Sequence, residues 1–148
     1  MRALVTLTVM MFAACGGLGP DERTGGDGGR GDSQPAAIDT LLYDRVSVEQ
    51  GDSTDWKKFE IEEDTKVTIK VWWDDPKAVS ATLELRNQGG EKIADLKHKS
   101  GSKSETLGPV KVKEGDYFLK VKATSGASVY SFEISTGSGD SGDPVPDL

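Results

Sequence analysis

Lys66-Val67-Thr68-Ile69-Lys70-Val71-Trp72-Trp73 decides the fold. Val67, Ile69, Val71 and Trp73 fall at every second position, with Lys66, Thr68, Lys70 and Trp72 between them. A period of two places one set on each side of a strand, so this segment reads as a strand buried on one face. Ala81, Leu83 and Leu85 alternate with Thr82, Glu84 and Arg86 in the same way. Tyr117, Leu119 and Val121, then Tyr130, Phe132 and Ile134, predict two further strands. Weaker candidates lie at 46–49, 59–61, 92–96 and 110–112. Turn residues separate them, including Gly51-Asp52-Ser53, Asp74-Asp75-Pro76, Asn87-Gln88-Gly89-Gly90 and Glu114-Gly115-Asp116. No stretch keeps a helical period. Seven to eight short strands predict an all-β antiparallel sandwich over 38–136, and periodicity does not choose between jelly-roll and immunoglobulin-like topologies.

Outward from that domain the composition changes. Residues 16–37 are rich in Gly and Asp with almost nothing to bury, so 15–37 is expected to be a flexible linker. Residues 137–148 repeat that composition and are expected to form a disordered tail. Arg30-Gly31-Asp32 within the linker matches the tripeptide that integrins recognise, a match that a Gly-, Asp- and Arg-rich stretch produces by chance.

Residues 1–14 carry one charge, Arg2, followed by an apolar run too short to span a bilayer as a helix, and read as an export signal. Phe12-Ala13-Ala14-Cys15 ends that run and resembles the lipobox of bacterial lipoproteins, with Phe12 where Leu is commoner. The resemblance implies that Cys15, the sole cysteine, is acylated and becomes the first residue of the mature chain. Two or three acyl chains hold a protein to a membrane firmly, where one holds it reversibly. Gly16 stands where Asp would signal inner-membrane retention in some Gram-negative bacteria, so the resemblance points to the outer membrane.

Gly51-Asp52-Ser53-Thr54-Asp55-Trp56-Lys57-Lys58-Phe59, Leu83-Glu84-Leu85 with Asn87 to Gly90, Glu114 to Val121 and Tyr130 to Ile134 together resemble a bacterial pre-peptidase C-terminal domain. The resemblance implies a jelly-roll-like sandwich that accompanies secreted enzymes without being catalytic, and that binds calcium and collagen in collagenase relatives. Lys57 stands where an aromatic is usual after the Trp, and Ser80 and Thr82 stand where an Asp-x-Asp pair often opens the central strand.

The chain has 148 residues and a net charge of -7, which argues against a nucleic-acid partner. A single His, His98 in Lys97-His98-Lys99, is expected to be an exposed loop residue, and with one Cys the chain lacks the ligands of a zinc site. No nucleophile and base stand in a recognisable arrangement, so no catalytic residue is assigned and a paired-carboxylate hydrolase is the least favoured reading. Asp52 and Asp55 frame one turn, and Asp74 and Asp75 another. They are candidate calcium ligands, since a hard cation takes six to eight oxygens, although turn aspartates also close turns on their own backbone. Trp73 and Trp56 are expected in the core. Trp72 has the opposite parity to Trp73 and is the candidate ligand contact. These readings add up to a non-enzymatic, lipid-anchored binding or accessory module of the bacterial cell envelope, contacting a protein or polysaccharide. A structural subunit of an envelope assembly is the alternative.

Overall fold

The structure, a computed structural model, describes residues 26–137. The signal segment 1–14, Cys15, the start of the linker and the tail after Gly137 lie outside the described residues. Within them are eight strands: β1 (Gln34–Pro35), β2 (Leu42–Ser47), β3 (Thr54–Ile61), β4 (Thr65–Trp73), β5 (Val79–Asn87), β6 (Lys92–Lys97), β7 (Ser104–Val112) and β8 (Gly115–Thr136). The fold is all-β, as the alternation predicts. Three of the weaker candidates, 59–61, 92–96 and 110–112, lie within longer strands, because strand pairing extends through polar residues that periodicity does not register, whereas 46–49 overlaps β2 only at 46–47.

β8 organises the sheets. Its first half lies between β3 and β5, with Leu119 opposite both Lys57 and Leu85. Its second half lies between β2 and β4, with Phe132 opposite Leu42 and Val71. β6 extends the first sheet beside β5, and β7 extends the second beside β4. The bend falls at Gly126, with φ +73°, where a Cβ would collide with the Ala78 carbonyl. A residue with a side chain pays for φ > 0 and would also clash here, so glycine is required.

The inner faces of both sheets meet in one core that includes Phe59, Leu83 and Leu119 from one layer and Ile69, Val71 and Phe132 from the other. Each fully buried side chain of this kind contributes about 1.5–3 kcal/mol over leaving it exposed. Trp73 is in this core, 3 % exposed, as its parity predicts.

The linker expectation fails over its described part. Asp27 is fully buried, and its carbonyl accepts the Trp56 N–H at 2.9 Å. β1 runs parallel to β3, and the Ala36 N–H donates to the Lys58 carbonyl at 2.8 Å. Arg30–Asp32 forms an exposed 3-10 turn on the way. A shortage of apolar residues suggested disorder, but this segment is held by backbone pairing to the open edge of β3 and by one buried carboxylate.

Candidate functional site

The inward positions of β3 read Asp55, Lys57, Phe59 and Ile61, so the alternation of a buried strand continues into charged residues. The Lys57 ammonium is buried between Asp27 of the docked segment and Asp44 of β2. Nζ donates to Asp27 Oδ2 at 2.5 Å and also to Asp44 Oδ2. Next to it, Tyr130 of β8 donates its hydroxyl to Asp55 Oδ2 at 2.6 Å. The cluster therefore joins both sheets and the N-terminal segment through polar contacts inside the core.

Burial dominates its electrostatics. Desolvation, reinforced by the Asp44 charge, pushes the Asp55 carboxyl up to about 8. Desolvation also raises Asp27 above the usual carboxylate range against the pull of Lys57. For Lys57, burial works against the charged form, but the hydrogen bonds and charges of Asp27 and Asp44 outweigh it and lift its pKa. Burial, followed by the neighbouring carboxylates, raises the Tyr130 phenol. Burial thus favours the protonated form of Asp55, which accepts a phenol hydrogen bond, and Lys57 is an internal counter-ion.

Of the four aspartates weighed from sequence as calcium ligands, the structure brings two together and adds one. Asp27, Asp52 and Asp55 each present an oxygen, all within 4.8 Å of one another. Asp27 Oδ1 and Asp55 Oδ1 are buried with no hydrogen-bond partner among the described residues. A set of three aspartates with two such oxygens fits a hard cation, while the ammonium on Asp27 and the raised carboxyls of Asp27 and Asp55 oppose it. Asp74 and Asp75 are exposed in the β4–β5 turn, where their N–H groups donate to the Val129 carbonyl and Ser128 Oγ, each at 3.0 Å. They take no part in the cluster. Asp27 escaped sequence reading because it lies in the supposed linker. Asp44 and Lys57 escaped it because charged residues at inward positions break the apolar pattern.

His98 is buried, 6 % exposed, contrary to expectation. One ring nitrogen lies 2.9 Å from Glu105 Oε2 and the other 2.8 Å from the Pro76 carbonyl, with the ring 4.8 Å from that of Trp73. Glu105 also accepts from the Trp73 indole and the Lys99 N–H. The signal was available: Ala94, Leu96 and His98 share one parity, and that parity faces inward. The single imidazole closes the end of the core and faces no nucleophile.

The two outer faces differ. On the β3–β8–β5–β6 side Lys58 pairs with Asp116, Arg86 and Lys120 with Glu84, and Lys92 with Asp95. Trp56 lies here rather than in the core, edge-on to Phe118 and flanked by Arg86 and Lys120 at 5.7 and 5.2 Å from its centroid. Its parity is opposite to that of Phe59 and Ile61, which is why it faces out. On the β2–β8–β4–β7 side Trp72 points outward and is partly exposed, with the Lys70 ammonium 5.0 Å from its ring centroid. Its indole N–H has no hydrogen-bond partner among the described residues. Tyr43, 65 % exposed, shares this face.

No family model and no curated protein matches the sequence. Among solved structures, the chain is similar to the pre-peptidase C-terminal domain of a collagenase from Bacillus anthracis. The TM-score is 0.58 at 17 % identity, over 69 % of this chain and 93 % of that one. It is also similar to PliG of Aeromonas hydrophila, a periplasmic inhibitor of g-type lysozyme, with a TM-score of 0.51 at 13 % identity over 71 % of this chain and 96 % of that one. These likenesses establish the fold.

Proposed function

We propose that the chain is a non-enzymatic binding or accessory module, held at the bacterial cell envelope by lipid on Cys15, and contacting a protein or polysaccharide through the outer face that carries Trp72. The observation that carries this reading is the contrast in how polar groups are satisfied. Lys57, Asp55 and His98, the side chains with chemistry to offer, are buried and bonded to Asp27 and Asp44, to Tyr130, and to Glu105 and the Pro76 carbonyl respectively. The Trp72 indole N–H has no partner among the described residues and stands on an outward face. Buried and mutually bonded ionisable groups stabilise a fold, while a partly exposed aromatic with a spare donor recognises something outside it.

Two measurements test the reading. Intact mass of protein from detergent-solubilised membranes is expected to show a chain starting at Cys15 with diacylglycerol and acyl mass, lost in Cys15→Ser together with membrane partitioning. Unmodified protein in the soluble fraction would leave a secreted accessory domain instead. Photo-crosslinking from position 43, beside Trp72 on the same face, is expected to capture envelope components, and capture that is unchanged by Trp72→Ala would refute that face as the contact.

The buried carboxylates favour a second property of the same module, a calcium ion held by Asp27, Asp52 and Asp55. Such an ion would supply the positive charge that the two partnerless oxygens lack, and through Asp27 it would tie the N-terminal segment to β3. Added calcium is expected to raise the melting temperature, and a chelator to lower it. Calorimetry without heat and an unchanged melting temperature would dismiss the ion.

A further inference from the structure

The strand register lays out the β2–β8–β4–β7 face in rows that run across the strands. Tyr43 is opposite Ser131, Ser131 is opposite Trp72, and Trp72 is opposite Ser104. Neighbouring strands are about 4.8 Å apart, so the two aromatic positions are separated by roughly 10 Å with only a small hydroxyl residue between them. We propose that this face binds an acidic polysaccharide laid along that row, with Tyr43 and Trp72 as ring platforms. The proposal rests on the binding-module reading and names the ligand class.

Three features of the face select that class. A pyranose ring presents a flat array of C–H groups, and the electron-rich face of an aromatic ring attracts them, as it does other positive edges. Two platforms separated by Ser131 accept successive parts of an extended chain without a step in the surface. Second, the phenol and indole have no hydrogen-bond partner among the described residues, and Thr68, Thr106 and Ser135 join the two row serines on the same side. These hydroxyls match the donor and acceptor pattern of sugar hydroxyls. Third, the face carries Arg45, Lys66, Lys70 and Lys111 against one acid, Glu133, on a chain whose net charge is -7. Lys66, Lys70 and Lys111 form no ion pair among the described residues. A basic field on an acidic protein is complementary to carboxylate or sulfate groups on the ligand. The Lys70 ammonium lies over the Trp72 ring, 5.0 Å from its centroid, so a stacking sugar displaces it from the ring face and leaves it at the ring edge to meet such a group.

Other partners fit less well. The core of a protein interface is depleted in charge, and lipid binding needs apolar side chains that enter below the headgroups. On this face hydroxyl and basic side chains outnumber apolar ones.

The experiment is affinity electrophoresis of the full chain in detergent through gels containing polygalacturonate, alginate or neutral dextran, with phosphatidylglycerol vesicles as a separate probe. Retardation is expected with an acidic polymer and not with dextran, and it weakens with salt. Trp72→Ala and Tyr43→Ala each weaken it roughly tenfold or more, and Lys70→Gln about threefold, without a change in melting temperature. No retardation by either acidic polymer, or retardation intact in both aromatic variants, overturns the proposal. So does vesicle binding that the variants abolish when glycan binding is absent. If Trp72→Ala abolishes capture of an envelope protein while no glycan is ever retained, the ligand class falls and the binding module stands. If neither glycan nor protein depends on Trp72, both fall.

Discussion

Two regions of this molecule treat their ionisable groups in opposite ways. Between the sheets, Asp27, Asp44 and Lys57 meet inside the core, beside the Asp55–Tyr130 pair, each group satisfied largely by the others. On the outer face of β2, β8, β4 and β7, basic side chains and two aromatic rings stand with few internal partners. Buried charge is tolerated only when it is paired, so in the first arrangement each group depends on the others being in place. Exposed charge costs little to leave open, so the second is available for recognition. If the contrast is right, substitutions inside should change stability, and substitutions outside should change binding alone.

The largest effect is expected from Lys57→Met, which leaves Asp27 and Asp44 buried without the ammonium. Breaking a buried pair in this way costs about 3–5 kcal/mol, measurable by urea unfolding. The same variant should free the segment around Asp27 for limited proteolysis. A cost under about 1 kcal/mol would show that the cluster is wetter than its geometry implies.

Next comes pH. The Asp55 carboxyl, raised to about 8, and the raised Asp27 bind protons more tightly in the folded chain than in the unfolded one. Their contribution is full below the ordinary carboxylate value near 3.8 and is lost as pH rises through about 8. In the presence of a chelator, stability should therefore fall by on the order of 4 kcal/mol between pH 5 and 8.5, at about 1.4 kcal/mol per pH unit. Asp55→Asn should flatten that slope, and a slope unchanged in the variant would assign the effect elsewhere.

His98→Ala removes hydrogen bonds to Glu105 and Pro76 and a ring against Trp73, for a cost of about 1–2 kcal/mol in thermal unfolding. An exposed loop histidine would cost nothing. The smallest effect on stability belongs to Trp72→Ala, expected within about 0.5 kcal/mol of the parent while ligand capture is lost. A large destabilisation there would mean that the outer face supports the fold after all, and the contrast would blur.

Much of the fold was legible because alternation is a direct record of which side of a strand is buried. Val67 to Trp73 and Tyr130 to Ile134 landed as strands with the predicted side inward. The same rule, applied without regard to residue type, would have placed Trp56 outside and His98 inside. Both were misread because chemical character was weighed above parity. The candidate site was less legible for a different reason. Asp27 reaches Lys57 from 30 residues away, and Asp55 reaches Tyr130 from 75. Which strands lie side by side, and which loose segment closes an open edge, depends on pairings over such distances, and local patterning does not encode them. Asp74 and Asp75, equally acidic and equally placed in a turn, remained ordinary turn residues. Composition could not separate them from Asp52 and Asp55.

The shared strand β8 has a bearing on how the protein is made. It is central in both layers, yet it comes after the other seven described strands in the chain. A polypeptide appearing N-terminus first, from a ribosome or through a membrane pore, can close the β4–β7 and β5–β6 pairings early. It cannot complete either layer until β8 has emerged. Until then β2 and β3 have no long neighbour, and the native state is assembled late through contacts far apart in sequence.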